Sequence, residues 1–231
     1  MKEIFAKVLP ADMPRHEYEV YKKEVERKNK ALIEDAKNFV LPKQQIIHGC
    51  MLPMEDLKPQ RCYTHVPFRM EEYGDTQNTV ATSGCGILIA KFLERTYNSK
   101  LNVSVEELAK LAVMKGYRGY RKKEDGTYAP MGMKHVFFER FIPSLYGFSS
   151  KRAETVQELM DATWDYTCPV LLLANNIYRN DDKNKDSHFV AMLGFTPNSI
   201  CVFDPEKERP VYVRTEVIFS ALRAAWIIKD Y

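Results

Sequence analysis

Apolar residues recur along the first part of this chain at spacings of three, four and seven. Tyr18, Tyr21, Val25, Leu32, Ala36 and Phe39 fall on one stripe, which predicts an amphipathic helix over residues 16–40, bracketed by Pro14 and Pro42. Residues 41–84 lose this period, and Pro42, Pro53, Pro59 and Pro67 break any long helix there. The period returns as a nearly unbroken apolar run, Ile87-Leu88-Ile89-Ala90-Lys91-Phe92-Leu93, which predicts a buried helix from about Gly86 to Tyr97. Ser104 with Glu107, and Thr155 with Glu158, carry the reciprocal capping pattern and open two more helices, ending near Gly116 and Tyr166. Residues 117–130 read as a Gly, Arg and Lys-rich loop with a turn at Asp125-Gly126, and Met133–Phe141 as a short helix ended before Pro143.

Beyond residue 168 the period changes. Pro169–Ala174, His188–Phe195, Ser199–Phe203, Val211–Val213 and Ala225–Ile228 are short apolar runs of strand length. Thr196-Pro197-Asn198-Ser199 reads as the turn of a hairpin. Helices first and an antiparallel sheet second describe an α+β fold. We read residues 1–45 as an N-terminal helical extension, either packed on the outside of the domain or serving as a pro-segment, and 46–231 as the main domain.

The 231 residues are 45% hydrophobic and 28% charged, the balance of a globular chain with room for a sizeable core. A formal net charge of +3 with interleaved signs gives no nucleic-acid footprint. No apolar run approaches the ~20 residues of a membrane span. The start, Met1-Lys2-Glu3-Ile4-Phe5, lacks the pattern of a signal peptide, so a cytoplasmic location is the expectation, with an extracellular one left open. Five cysteines cannot all pair within one chain, which fits a reducing compartment or one reactive thiol; Cys168 and Cys201, in strand-like surroundings, read as buried thiols.

One cysteine stands apart. Ser83-Gly84-Cys85-Gly86 places a thiol at the N-terminus of the apolar helix, where backbone N–H groups and the helix dipole favour the thiolate. The flanking glycines would leave room for a substrate backbone. His188 begins one predicted strand, at an edge expected to be exposed, and Asp204 follows the next. Antiparallel pairing brings both to one end of the sheet. Cys85 as nucleophile, His188 as base and Asp204 as its orienter form an acyl-transfer set, with Asn175 and Asn176 as alternative orienters. The polar segment 176–187 reads as a lid or a solvated hairpin tip. His48, Cys50, Cys62 and His65 make a weaker alternative, a structural zinc site, although their spacing is not that of a finger. The chemistry of the Cys-His-Asp set itself calls for no cofactor and no metal.

In the order Gly84-Cys85-Gly86, His188-Phe189-Val190 and Asp204-Pro205, with Cys168-Pro169-Val170-Leu171 between, the chain resembles papain-like cysteine peptidases related to bacteriocin leader peptidases that cleave after double glycine. The resemblance spans about residues 60–231. It implies a papain-like fold with helices packed on an antiparallel sheet, and hydrolysis of peptide or isopeptide bonds in a peptide or protein substrate with small residues at the cleavage site. It also implies a side-chain donor to the oxyanion upstream of the cysteine, for which Gln77 and Asn78 compete beside the backbone N–H of Cys85. The same triad could instead pass its acyl group to an amine, as transglutaminase-like enzymes do, or the cleft could bind peptides without cutting them.

Overall fold

The computed structural model describes residues 6, 8–47, 57–181 and 186–230. In chain order the elements are α1 (Arg15–Asn38), β1 (Ile46–Ile47), α2 (Val80–Ser83), α3 (Cys85–Thr96), α4 (Val105–Met114), β2 (Arg118–Lys122) and β3 (Tyr128–Met133). They continue with α5 (Ile142–Tyr146), β4 (Ser149–Arg152), α6 (Val156–Trp164), β5 (Val170–Ala174), α7 (Asn175–Tyr178), β6 (Ser187–Thr196), β7 (Ser199–Phe203), β8 (Val211–Arg214), α8 (Thr215–Ala221) and β9 (Leu222–Lys229). Helices and antiparallel strands together make an α+β protein. Among the described residues no helix is long and apolar enough to cross a membrane. The chain forms two compact units: Met1–Asp12, Glu55–Ser149 and Asp230–Tyr231 in the first, Met13–Met54 and Ser150–Lys229 in the second.

The first unit is built around α3. Every residue from Cys85 to Glu94 is buried, so this helix is covered on all sides. That burial includes two charges. Lys91 Nζ donates to Glu94, to Asn102 Oδ1 at 2.7 Å and to the Val103 carbonyl at 2.8 Å. Glu94 Oε2 accepts from Val103 N–H at 3.2 Å and from the Tyr146 hydroxyl at 2.8 Å. With these donors and acceptors matched, the pair avoids the penalty of an isolated buried charge. α4 starts where the sequence places it: Ser104 Oγ accepts from Glu107 N–H at 3.1 Å while Glu107 Oε2 accepts from Ser104 N–H at 3.1 Å. Tyr117, Phe137, Phe138 and Phe141 form an aromatic cluster, with the Phe137 and Phe141 rings stacked at 4.5 Å.

Two expectations fail here. The stretch 117–130 is not a loop but the start of the β2–β3 hairpin, turning at Gly126 with φ 83°. Its exposed residues are Arg121 and Lys122 in β2 and Tyr128, Pro130 and Met131 in β3, so no apolar-inward, polar-outward alternation marks the strands. The helix expected to stop before Pro143 instead passes through a π-type turn at Phe137–Phe141 into α5, where Pro143 occupies the first turn. A proline there loses no helical hydrogen bond.

In the second unit the sheet runs β4-β9-β5-β6-β7-β8, and β1 adds to the far end of the long β6. All five residues of β5 are buried, as an inner strand covered on both faces requires, whereas β8 alternates at the edge. α1 packs here through Leu32 and Ala36. Asp35 Oδ2 accepts from the Val156 N–H at 2.6 Å, at the start of α6. α6 has its Thr155–Glu158 capping box. Two short helices, α7 and α8, and the strand β4 were not anticipated.

Candidate active site

The second unit contains an imidazole held by a carboxylate. β6 pairs with β7 so that Ala191 faces Phe203, which sets His188 and Asp204 at one end of the strand pair. His188 Nε2 lies 2.7 Å from Asp204 Oδ1, and the two side chains are 3% and 1% exposed. Asp204 Oδ1 also accepts from the Glu206 N–H at 3.0 Å, and Oδ2 from the Tyr178 hydroxyl at 3.1 Å. Burial alone would raise the carboxyl. The hydrogen bond and charge of His188, then the Glu206 N–H and the nearby Arg179 charge, outweigh it and hold the group down at about 2. Asp204 is therefore a carboxylate at neutral pH. With Nε2–H donated to it, the basic nitrogen of the neutral ring is Nδ1.

His188 was expected at an exposed edge, and it is buried instead. It sits opposite Leu173 of β5, and the Tyr178 ring stacks on it at 6.1 Å and 23°. Burial, then the adjacent Asp204 carboxylate, pushes the Tyr178 hydroxyl far up, so it stays a hydrogen-bond donor. Tyr178 comes from α7, inside the segment read from sequence as lid or hairpin tip. Nothing local in the sequence marks it as a partner of the base. Of the alternative orienters, Asn175 is buried with its Oδ1 lacking a hydrogen-bond partner, and Asp204 is the residue on the imidazole. Residues 182–185 of that segment lie outside the described residues.

The first unit holds Cys85. Thr79 caps α2, whose last N–H bonds lead into Gly84, the residue before α3. Cys85 is the first residue of α3 and is 9% exposed. Gly84 has an ordinary negative φ, −96°. A Cβ there would lie 2.5 Å from Val80 Cγ1 and 2.7 Å from the Val80 backbone. This glycine makes room for Val80 at the α2–α3 junction.

The upstream donors are placed unequally. Gln77 is exposed. Asn78 is engaged at both ends, donating from Nδ2 to Asp75 Oδ1 at 2.8 Å and accepting at Oδ1 from the Thr82 hydroxyl at 3.0 Å. A cleft of about 800 Å³ in this unit is lined by Arg69, Tyr73, Lys115, Arg118, Tyr120 and Lys134, among others, and Cys85 is not part of its wall.

The alternative zinc set is only partly visible. Cys62 is exposed at the end of a short 3-10 turn, and His65 pairs with Glu106 at 3.3 Å. His48 and Cys50 lie outside the described residues. Among the described residues no group of three or more His, Cys, Asp or Glu is arranged to hold a metal. Cys168 and Cys201 are buried thiols, and burial pushes the Cys201 thiol up despite a hydrogen bond with Tyr212.

No protein-family model matches the chain, and no curated protein sequence matches it. Among solved structures it is similar to a Bacillus anthracis protein provisionally designated a C39-like peptidase, with a TM-score of 0.54 at 13% identity. That match covers 81% of this chain and 98% of the other. At this identity the likeness is one of fold alone.

Proposed function

We propose that the chain is a papain-like cysteine peptidase in which Cys85, His188 and Asp204 act as one catalytic set. The observation that carries this reading is the buried His188–Asp204 pair: an imidazole held by an ionised carboxylate through Nε2, with the tautomer a thiol's base requires. The thiol at the first position of α3 and the C39-like fold support it.

The reaction follows from these groups. His188 Nδ1 takes the Cys85 proton, and the thiolate attacks the scissile carbonyl. The carbonyl's developing negative charge calls for N–H donors, which the start of α3 can supply. As the C–N bond breaks, His188 returns the proton to the leaving amine, which departs and leaves a thioester. Water then enters through the same base, releasing the acid and the thiol. Tyr178 and the Glu206 N–H keep Asp204 fixed while the imidazole charges and discharges. No cofactor takes part in this scheme.

The test is hydrolysis of a mixed peptide library, including substrates with consecutive glycines, read by mass. Cys85→Ala is expected to fall to background, and Asp204→Asn to lose on the order of 10³-fold with the fold intact. Cleavage that survives Cys85→Ala contradicts the proposal. Added hydroxylamine separates the fates of the thioester: hydroxamate formed in preference to acid would move the reading to acyl transfer.

A further inference from the structure

β5 ends at Ala174, one residue past Leu173, which lies opposite His188. The chain then makes the single turn of α7. Arg179 N–H on the Asn175 carbonyl at 2.8 Å closes that turn, and Asn175 N–H on the Asp186 carbonyl at 2.9 Å ties it to the start of β6. The turn returns Tyr178 to the strand end the chain has just left. Its ring stacks on His188 and its hydroxyl donates to Asp204 Oδ2. Ile177 and Tyr178 also pack against the apolar core of this unit, which anchors the turn.

The two oxygens of Asp204 meet different donors. Oδ1 lies 2.7 Å from His188 Nε2 and accepts from the Glu206 N–H at 3.0 Å; Oδ2 accepts from the Tyr178 hydroxyl at 3.1 Å. A hydroxyl that donates to a buried, ionised carboxylate makes a charge-assisted bond. The negative charge it draws on is charge the imidazolium does not receive in full. An ion pair ties the two outer donors together: Arg179, next after Tyr178, reaches Glu206 Oε2 through Nη1 at 2.8 Å. The charges that act on Asp204 and Tyr178 come from each other, from His188 on β6, from Arg179 after α7 and from Glu206 after β7. β5, the other neighbour of β6, carries no titratable residue.

We propose that Tyr178 is a positioning residue that sets the strength of the base: its hydroxyl shares the Asp204 charge with His188, and its ring holds the imidazole in the orientation of that bond. This rests on the reading of His188 as the base and goes beyond the fixing of Asp204 in place. The role requires the hydroxyl, whereas packing alone requires only the ring.

The experiment is an NMR titration of His188, read on its ring nitrogens, in the full chain carrying Cys85→Ala so that the thiol contributes nothing. Tyr178→Phe keeps the ring and removes the donor. It is expected to raise the His188 pKa by about one unit, as partial loss of a hydrogen bond to a charged group gives. Replacing Tyr178 by 3-fluorotyrosine keeps the shape and strengthens the donor, and is expected to lower the His188 pKa by a smaller amount. A change of opposite sign in the two proteins is what a packing role alone would not give. If Tyr178→Phe does not fold, the fluorinated protein decides alone: a lowered pKa supports the proposal, and an unchanged or raised one overturns it. An unchanged or lowered pKa in a folded Tyr178→Phe also overturns it. The catalytic reading is judged separately by hydrolysis in the parent and in Cys85→Ala, so either can fail without the other.

Discussion

The two units keep buried charge in different ways. In the second, His188 and Asp204 answer each other directly at 2.7 Å, with one hydroxyl and one backbone N–H completing the carboxylate. In the first, charge is spread through networks. Lys91 and Glu94 share Asn102, Val103 and Tyr146, whereas Arg118 and Asp75 stand 3.8 Å apart with the carboxylate occupied by neutral donors. A closed network stabilises a helix and leaves little potential over for chemistry. A tight His–Asp pair fixes a tautomer. A looser pair leaves the Arg118 N–H groups without hydrogen bonds although a carboxylate stands close by. The contrast separates groups that hold the fold from groups that can hold a proton.

Breaking the closed network gives the largest expected effect. Lys91→Met leaves Glu94 buried without its cation, and loss of one partner of such a pair costs about 3–5 kcal/mol. Burial and then the Glu94 carboxylate push the Tyr146 hydroxyl far up, so it cannot donate a proton outright to relieve the charge. Urea unfolding measures this, and a loss below about 1 kcal/mol would mean the network is not the structural element it is taken for.

The His188–Asp204 pair gives a smaller and pH-dependent effect. Asp204 titrates at about 2 in the folded protein, against ~3.9 for an unfolded aspartate. Its contribution to stability is complete above pH ~4 and is lost as pH falls from there towards about 2. It amounts to between about 2 and 3 kcal/mol. Asp204→Asn should flatten that part of the stability curve. A variant that keeps the full acid slope would show that other carboxylates produce it.

Much of the second unit was legible in the sequence because its strands are apolar runs of defined length. Ser199–Phe203 was read to its ends, and the pairing of β6 with β7 follows from the turn between them. Register then brings His188 to Asp204 with no further information. The burial of His188 was not legible, because it depends on Tyr178, which reaches it from a helix inside a polar stretch. In the first unit the capped helices were legible from Ser104 with Glu107 and from the apolar run after Cys85. The β2–β3 hairpin was not, since β2 buries Arg118 and exposes Arg121 and Lys122 while β3 exposes Tyr128, Pro130 and Met131, so polarity does not follow burial. That miss hid Arg118, which reads as one cation among several in a loop and is in fact the buried one. Gly84 shows the limit of a motif: its place beside the cysteine was clear, but the close approach of the Val80 side chain and backbone one helical turn earlier depends on α2, which was not anticipated.

The measurement that bears most directly on the central claim is the pH dependence of Cys85 alkylation in the parent and in His188→Ala, read on the Cys85 peptide so that the exposed Cys62 does not confuse it. The account predicts that Cys85 in the parent labels well below the ordinary thiol range near pH ~8.5 and that much of this advantage disappears without His188. A Cys85 that is inert, or that labels as an ordinary thiol in both proteins, would contradict it.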